Sequence, residues 1–119
     1  LQTLHTLSRE QRKLNDDYAQ ICRAVEGHLN EVSLPWLVER PGLSKWTITK
    51  IIRRENDSTV NEWLQKLRIQ EAARLLAETG LKAYEIAGMV GYSSVDYFTT
   101  VFRRVMQTTP EQYRMKRKF

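Results

Sequence analysis

Two pairs of arginines, Arg53-Arg54 and Arg103-Arg104, stand fifty positions apart in this 119-residue chain. A serine opens each stretch, at Ser44 and Ser94, and hydroxyl side chains follow at Thr47, Thr49, Thr99 and Thr100. The first stretch adds Lys45, Trp46 and Lys50; the second adds Asp96 and Tyr97. Clustered cations of this kind neutralise phosphates, while lysine and hydroxyl groups can also meet the polar edges of bases. Exposed aromatics beside cations are a common mark of a recognition surface.

The resemblance between the two stretches is a repeat. Twenty residues from Ser44 to Trp63 align with Ser94 to Tyr113, with Ser44/Ser94, Thr49/Thr99, Arg53/Arg103, Arg54/Arg104 and Thr59/Thr109 identical. Ile48/Phe98, Ile51/Val101 and Ile52/Phe102 exchange like for like. A self-similar period implies one small helical unit used twice. Duplicated cationic ends suit a partner that is anionic and periodic, and duplex DNA has both properties.

Elements that could position these residues are all helical. Leu14, Tyr18, Ile21, Val25 and His28/Leu29 keep the spacing of an amphipathic helix, with a turn at Asn30-Glu31. Ser33 can cap a short helix over Leu34 to Arg40, stopped by Pro41-Gly42. A second helix runs from Leu43-Ser44 to about Glu55, and Asn56-Asp57-Ser58 breaks it. Thr59 and Glu62 form a capping box that starts a long helix, for which Gly80 is the expected left-handed stop. Tyr84 to Val90, a turn at Gly91-Tyr92-Ser93, and Ser94 to Met106 restart the unit. Thr109-Pro110-Glu111-Gln112 opens a terminal helix. The expectation is an all-α fold of about seven helices.

A short helix, a glycine-bearing turn and a second helix make a helix-turn-helix arrangement. On the second helices, Ile48, Ile51 and Ile52 oppose Trp46, Thr49, Lys50 and Arg53. Val95, Phe98, Val101, Phe102 and Val105 oppose Asp96, Tyr97, Thr100 and Arg104. Tryptophan and tyrosine on the polar side distinguish these faces from ordinary solvated ones.

Composition narrows the function classes. A net charge of +5 and 41% apolar residues fit a globular protein with an acidic partner. Cys22 is the sole cysteine, excluding an intramolecular disulfide and a cysteine zinc cage; beside Ile21 it reads as a buried structural thiol. His5 and His28 have no partners at ligand spacing. The chain offers neither a Ser/His/Asp set nor a phosphate-binding glycine loop, so neither catalysis nor a cofactor is expected. No run approaches membrane-spanning length.

The segment Gly91-Tyr92-Ser93-Ser94-Val95-Asp96-Tyr97-Phe98-Thr99-Thr100-Val101-Phe102-Arg103-Arg104, followed by Thr109-Pro110-Glu111-Gln112-Tyr113-Arg114, resembles the C-terminal signature of the AraC/XylS transcription regulators. Similarity extends back through Leu67 to Leu76 and through Glu85-Ile86-Ala87, covering residues 14 to 114. The resemblance implies a bacterial, cytoplasmic transcription activator whose DNA-binding domain spans 14–119. It implies a first unit at 33–56, a joining helix at 59–79, a second unit at 83–106 and a terminal helix at 109–117.

On that reading, two recognition helices enter successive major grooves. Base-reading positions fall on Trp46, Thr49, Lys50, Asp96, Tyr97 and Thr100. Backbone contacts fall on Ser44, Lys45, Arg53, Arg54, Ser94, Arg103 and Arg104. RNA polymerase is the implied partner besides duplex DNA, and residues 1–13 read as a linker from an upstream sensor, receiver or ligand-binding domain. Val38, Ile52 and Asn56-Asp57 depart from the family pattern in the first unit. The alternative is a helical module whose basic face meets RNA or an acidic protein.

Overall fold

Seven α-helices and no strand occur among residues 8–40 and 42–117, which the computed structural model describes. They are α1 (Arg9–Val25), α2 (Leu34–Glu39), α3 (Lys45–Asn56), α4 (Val60–Glu78), α5 (Ala83–Met89), α6 (Val95–Met106) and α7 (Pro110–Arg117). His5, Pro41 and Lys118, with residues 1–7 of the expected linker, lie outside the described residues. The chain divides into two compact units. One holds α1, α2 and α3 through Val60; the other holds Leu29–Glu31 and the described residues from Asn61 onward.

In the first unit, α1 starts at Arg9, five residues ahead of the apolar stripe. Ser8 supplies the reason: its hydroxyl accepts from Gln11 N–H at 3.0 Å, and the Gln11 side chain accepts from Ser8 N–H at 3.1 Å. This capping box satisfies end donors before any apolar residue is needed. The buried side of α1 is Asp17, Ile21 and Val25, with Leu14 and Tyr18 half-buried. Cys22 is also half-buried rather than enclosed, and burial pushes its thiol pKa up. Val32, Leu37, Ile48, Ile51, Ile52 and Val60 are the unit's other buried apolar residues.

The second unit is built around a core of Ile69, Ala72, Leu76, Ile86, Val90, Phe98, Val101 and Phe102. Phe98, Phe102 and Tyr113 pack ring on ring at 5.8 Å spacings. Gly80 does not take the left-handed conformation expected of it. Thr79 ends α4 instead, donating its hydroxyl to Leu75 O at 2.6 Å. Arg114 on α7 then donates to the carbonyls of Leu76, Thr79 and Leu81. A guanidinium thus satisfies helix-end carbonyls that would otherwise lack a donor.

The turn between α5 and α6 does need its glycine. Tyr92 N–H donates to Ala87 O and Gly91 N–H to Gly88 O, the paired closure of a Schellman motif. Gly91 has φ +105°, and a Cβ there would lie 3.1 Å from Asn30 Cα and 3.2 Å from Leu29 O.

Candidate nucleic-acid interface

The fifty-residue period persists in three dimensions down to the helix ends. Ser44 caps α3 by accepting from Thr47 N–H at 3.1 Å; Ser94 caps α6 by accepting from Tyr97 N–H at 3.2 Å. Asp57 and Gln107, with φ of 52° and 62°, close the two helices in the left-handed conformation. Each donates its N–H to the arginine four residues back, Arg53 or Arg103. The first-unit departure from a glycine stop therefore leaves the helix end intact, because aspartate tolerates this conformation better than most residues. Buried triplets also correspond: Ile48, Ile51 and Ile52 against Phe98, Val101 and Phe102. Val95 breaks the expected core side of α6, being exposed beside the N-cap.

Every residue expected to read bases is exposed. On α3, Trp46 keeps 70% of its surface accessible, with Thr49 and Lys50 beside it. Lys50 Nζ lies 4.9 Å from the Trp46 ring centroid. That contact gives an otherwise solvated tryptophan a cationic cover and holds the ammonium on the outer face. On α6, Asp96 sits in the first turn, where the helix dipole favours a negative charge. Tyr97 is 53% exposed and leans on Tyr92 at 5.8 Å. Thr100 is exposed, and its hydroxyl donates back to Asp96 O at 3.1 Å, so its oxygen is left to act as an acceptor.

Residues expected to meet phosphates divide into free and engaged groups. Lys45, Arg53 and Arg103 are exposed, and neither of these guanidiniums enters a hydrogen bond or ion pair within the described residues. Arg54 is engaged, donating to the Glu55 carboxylate and, at 2.8 Å, to Asn15 Oδ1 on α1. Arg104 donates to Gln65 Oε1 on α4. The Ser44 hydroxyl also donates to Thr47 Oγ1 at 2.9 Å, so its first role is the cap. Thr100, Arg103, Arg104, Gln107, Thr108, Thr109 and Gln112 line a polar groove of about 610 Å³ where α6 gives way to α7.

Asn15 and Gln65 escaped the sequence reading, as did the buried carboxylate of Asp17, which lies 3.4 Å from Lys13 Nζ. One signal was available. Asn15 and Gln65 are themselves fifty positions apart, like the Arg54 and Arg104 that bind them. The repeat thus reaches back two helices before the aligned segments, from α3 to α1 and from α6 to α4.

No group of three potential metal-ligating side chains gathers among the described residues, and none of their helices is long and apolar enough to cross a membrane.

A family model described as a helix-turn-helix domain matches residues 37–116. The probable transcription factor PqrA of Proteus vulgaris is 32% identical over 83 residues, covering 70% of this chain and 68% of that protein. The transcriptional activator RhaR of Mannheimia succiniciproducens is 31% identical over 123 residues, covering 98% of this chain but only 45% of the relative. Among solved structures, the DNA-binding domain of the transcription factor AdpA, in complex with a target DNA, aligns with a TM-score of 0.74 at 27% identity. That alignment covers 82% of this chain and 89% of the other.

Proposed function

This chain belongs to the AraC/XylS family of helix-turn-helix DNA-binding transcription regulators, and from that premise we propose how it reads duplex DNA. The observation that carries the proposal is the register shared by α3 and α6. Both have the same serine cap, the same buried triplet and an exposed aromatic among polar side chains. Each helix enters a major groove of one operator, the two grooves in succession. Trp46, Thr49 and Lys50 meet bases in one half-site, and Asp96, Tyr97 and Thr100 meet them in the other. Lys50 suits guanine acceptors, Asp96 suits the cytosine amino group, and the methyl of Thr100 suits thymine. Because the two sets differ, the half-sites are unlike each other and the operator has a direction.

Ser44, Lys45, Arg53, Arg54, Ser94, Arg103 and Arg104 fix position through the phosphates, which carry no sequence information themselves. The domain serves as the output part of a larger cytoplasmic regulator, in which an upstream module senses the signal and RNA polymerase receives it.

Selection from randomised duplexes tests this reading, with single-stranded RNA present as competitor. Retention of RNA over duplex would favour the alternative of an RNA-binding module. Lys50→Ala and Thr100→Ala should each relax the selected sequence at particular base pairs, by roughly 1–3 kcal/mol on the best site. Arg53→Ala should weaken all duplexes alike. An unchanged consensus for Lys50→Ala would remove α3 from base reading.

A further inference from the structure

We propose that Gln65 is a positioning residue that decides which kind of base edge Tyr97 accepts. The inference rests on the reading above, in which Tyr97 meets bases and Arg104 meets phosphates.

Gln65, on α4, reaches two residues of α6 with one amide. Arg104 Nη2 donates to its Oε1 at 2.5 Å, and its Nε2 donates to the Tyr97 phenol oxygen at 3.3 Å. The orientation of the amide follows from the partners. A guanidinium has donors only, so the amide oxygen must face Arg104, and the amide nitrogen is then left to face Tyr97. The phenol oxygen receives that hydrogen, and its own proton is free to point away from the protein. Tyr97 is thereby presented as a donor, while its ring is held from the side by Tyr92 at 5.8 Å.

A phenol fixed as a donor discriminates among bases. It favours the acceptors of the major groove, guanine O6 and N7 or thymine O4, over the amino groups of adenine and cytosine. A hydroxyl without the amide would rotate and serve either kind of edge. The chain Arg104–Gln65–Tyr97 also ties a phosphate-facing group to a base-facing one. Among the described residues the first unit has no such relay: Asn15 meets Arg54, but Thr47 stands at the position of Tyr97 and its hydroxyl oxygen faces Ser44.

Randomised-duplex selection on four variants of the full chain tests the proposal, each variant first checked for native melting. Tyr97→Phe should relax preference at particular base pairs. Gln65→Leu keeps most of the volume but not the amide, and should relax the same base pairs about fivefold, within the range for coupled neighbours. The double variant should do no worse there than Tyr97→Phe alone. Gln65→Glu keeps an acceptor for Arg104 but turns the phenol proton inward. Its selected sequence should shift towards adenine or cytosine amino groups at those positions.

Normal preference in both Gln65→Leu and Gln65→Glu, beside a changed Tyr97→Phe, would overturn the positioning role alone. Additive losses in the double variant would also overturn it. An unchanged consensus for Tyr97→Phe would instead overturn the assignment of Tyr97 as a reader, and this inference with it.

Discussion

Gly91→Ala should destabilise the chain by about 3–5 kcal/mol, a large share of the 5–15 kcal/mol typical of a domain. Two costs combine. With φ at +105°, any side chain is strained there, at about 1–3 kcal/mol. The new methyl would also meet Arg68 Nε at 3.1 Å, Asn30 Cα at 3.1 Å and Leu29 O at 3.2 Å. Two of these three atoms are backbone and cannot swing aside. Displacing them also strains the 3.0 Å bond from Arg68 Nε to Leu29 O, a charge-assisted contact.

Gly42→Ala supplies the control. That glycine has φ +71° but nothing within 4 Å of its Cβ position, so only backbone strain of about 1–2 kcal/mol applies. Thermal denaturation should separate the two variants, Gly91→Ala losing roughly 15 °C and Gly42→Ala only a few degrees. Equal losses would mean that the close approach of Leu29 and Asn30 contributes nothing.

What the chain discloses before folding is mostly local. Ser33, Ser44, Ser94 and Thr109 each cap a helix as their spacing predicts, because capping needs only groups three residues apart. The buried triplets of α3 and α6 were legible for the same reason, as helical period alone separates them from the polar side. Gly91 announced its turn, whereas Gly80 misled: the Thr79 hydroxyl and the distant Arg114 end α4 without a left-handed residue. Arg114 lies 38 positions from Leu76, and no local pattern links a guanidinium to that carbonyl. Gln65 and Asn15 look like members of a solvated helix face until the fold brings Arg104 and Arg54 beside them. The candidate site was thus readable as two exposed faces, but the support beneath each face was not. Nor did charge alone tell free arginines from engaged ones, because Glu55 adjoins the pair that it partly neutralises.

That division sets the salt dependence of binding. With Lys45, Arg53, Arg54, Arg103 and Arg104 on phosphates, log affinity should fall against log salt with a slope of about −4. Raising salt from about 50 to 200 mM would then cost on the order of a hundred- to a thousandfold in affinity. Arg53→Gln and Arg103→Gln should each reduce the slope by about 1, because their guanidiniums carry no partner among the described residues to exchange for a phosphate. Arg54→Gln should reduce it by well under 1. Its charge already faces the Glu55 carboxylate, so a phosphate must compete for the guanidinium and less counterion is released on binding. Glu55→Gln reverses that arrangement: among the described residues Arg54 keeps neutral acceptors alone, and affinity should rise for all duplexes alike, with a steeper slope. Titrations of each variant at several salt concentrations, against one specific and one scrambled duplex, give the slopes directly. Equal slope losses for Arg53→Gln, Arg54→Gln and Arg103→Gln would show that Glu55 exerts no hold on Arg54 in the complex. A wild-type affinity that does not change with salt would remove phosphates from the interface altogether.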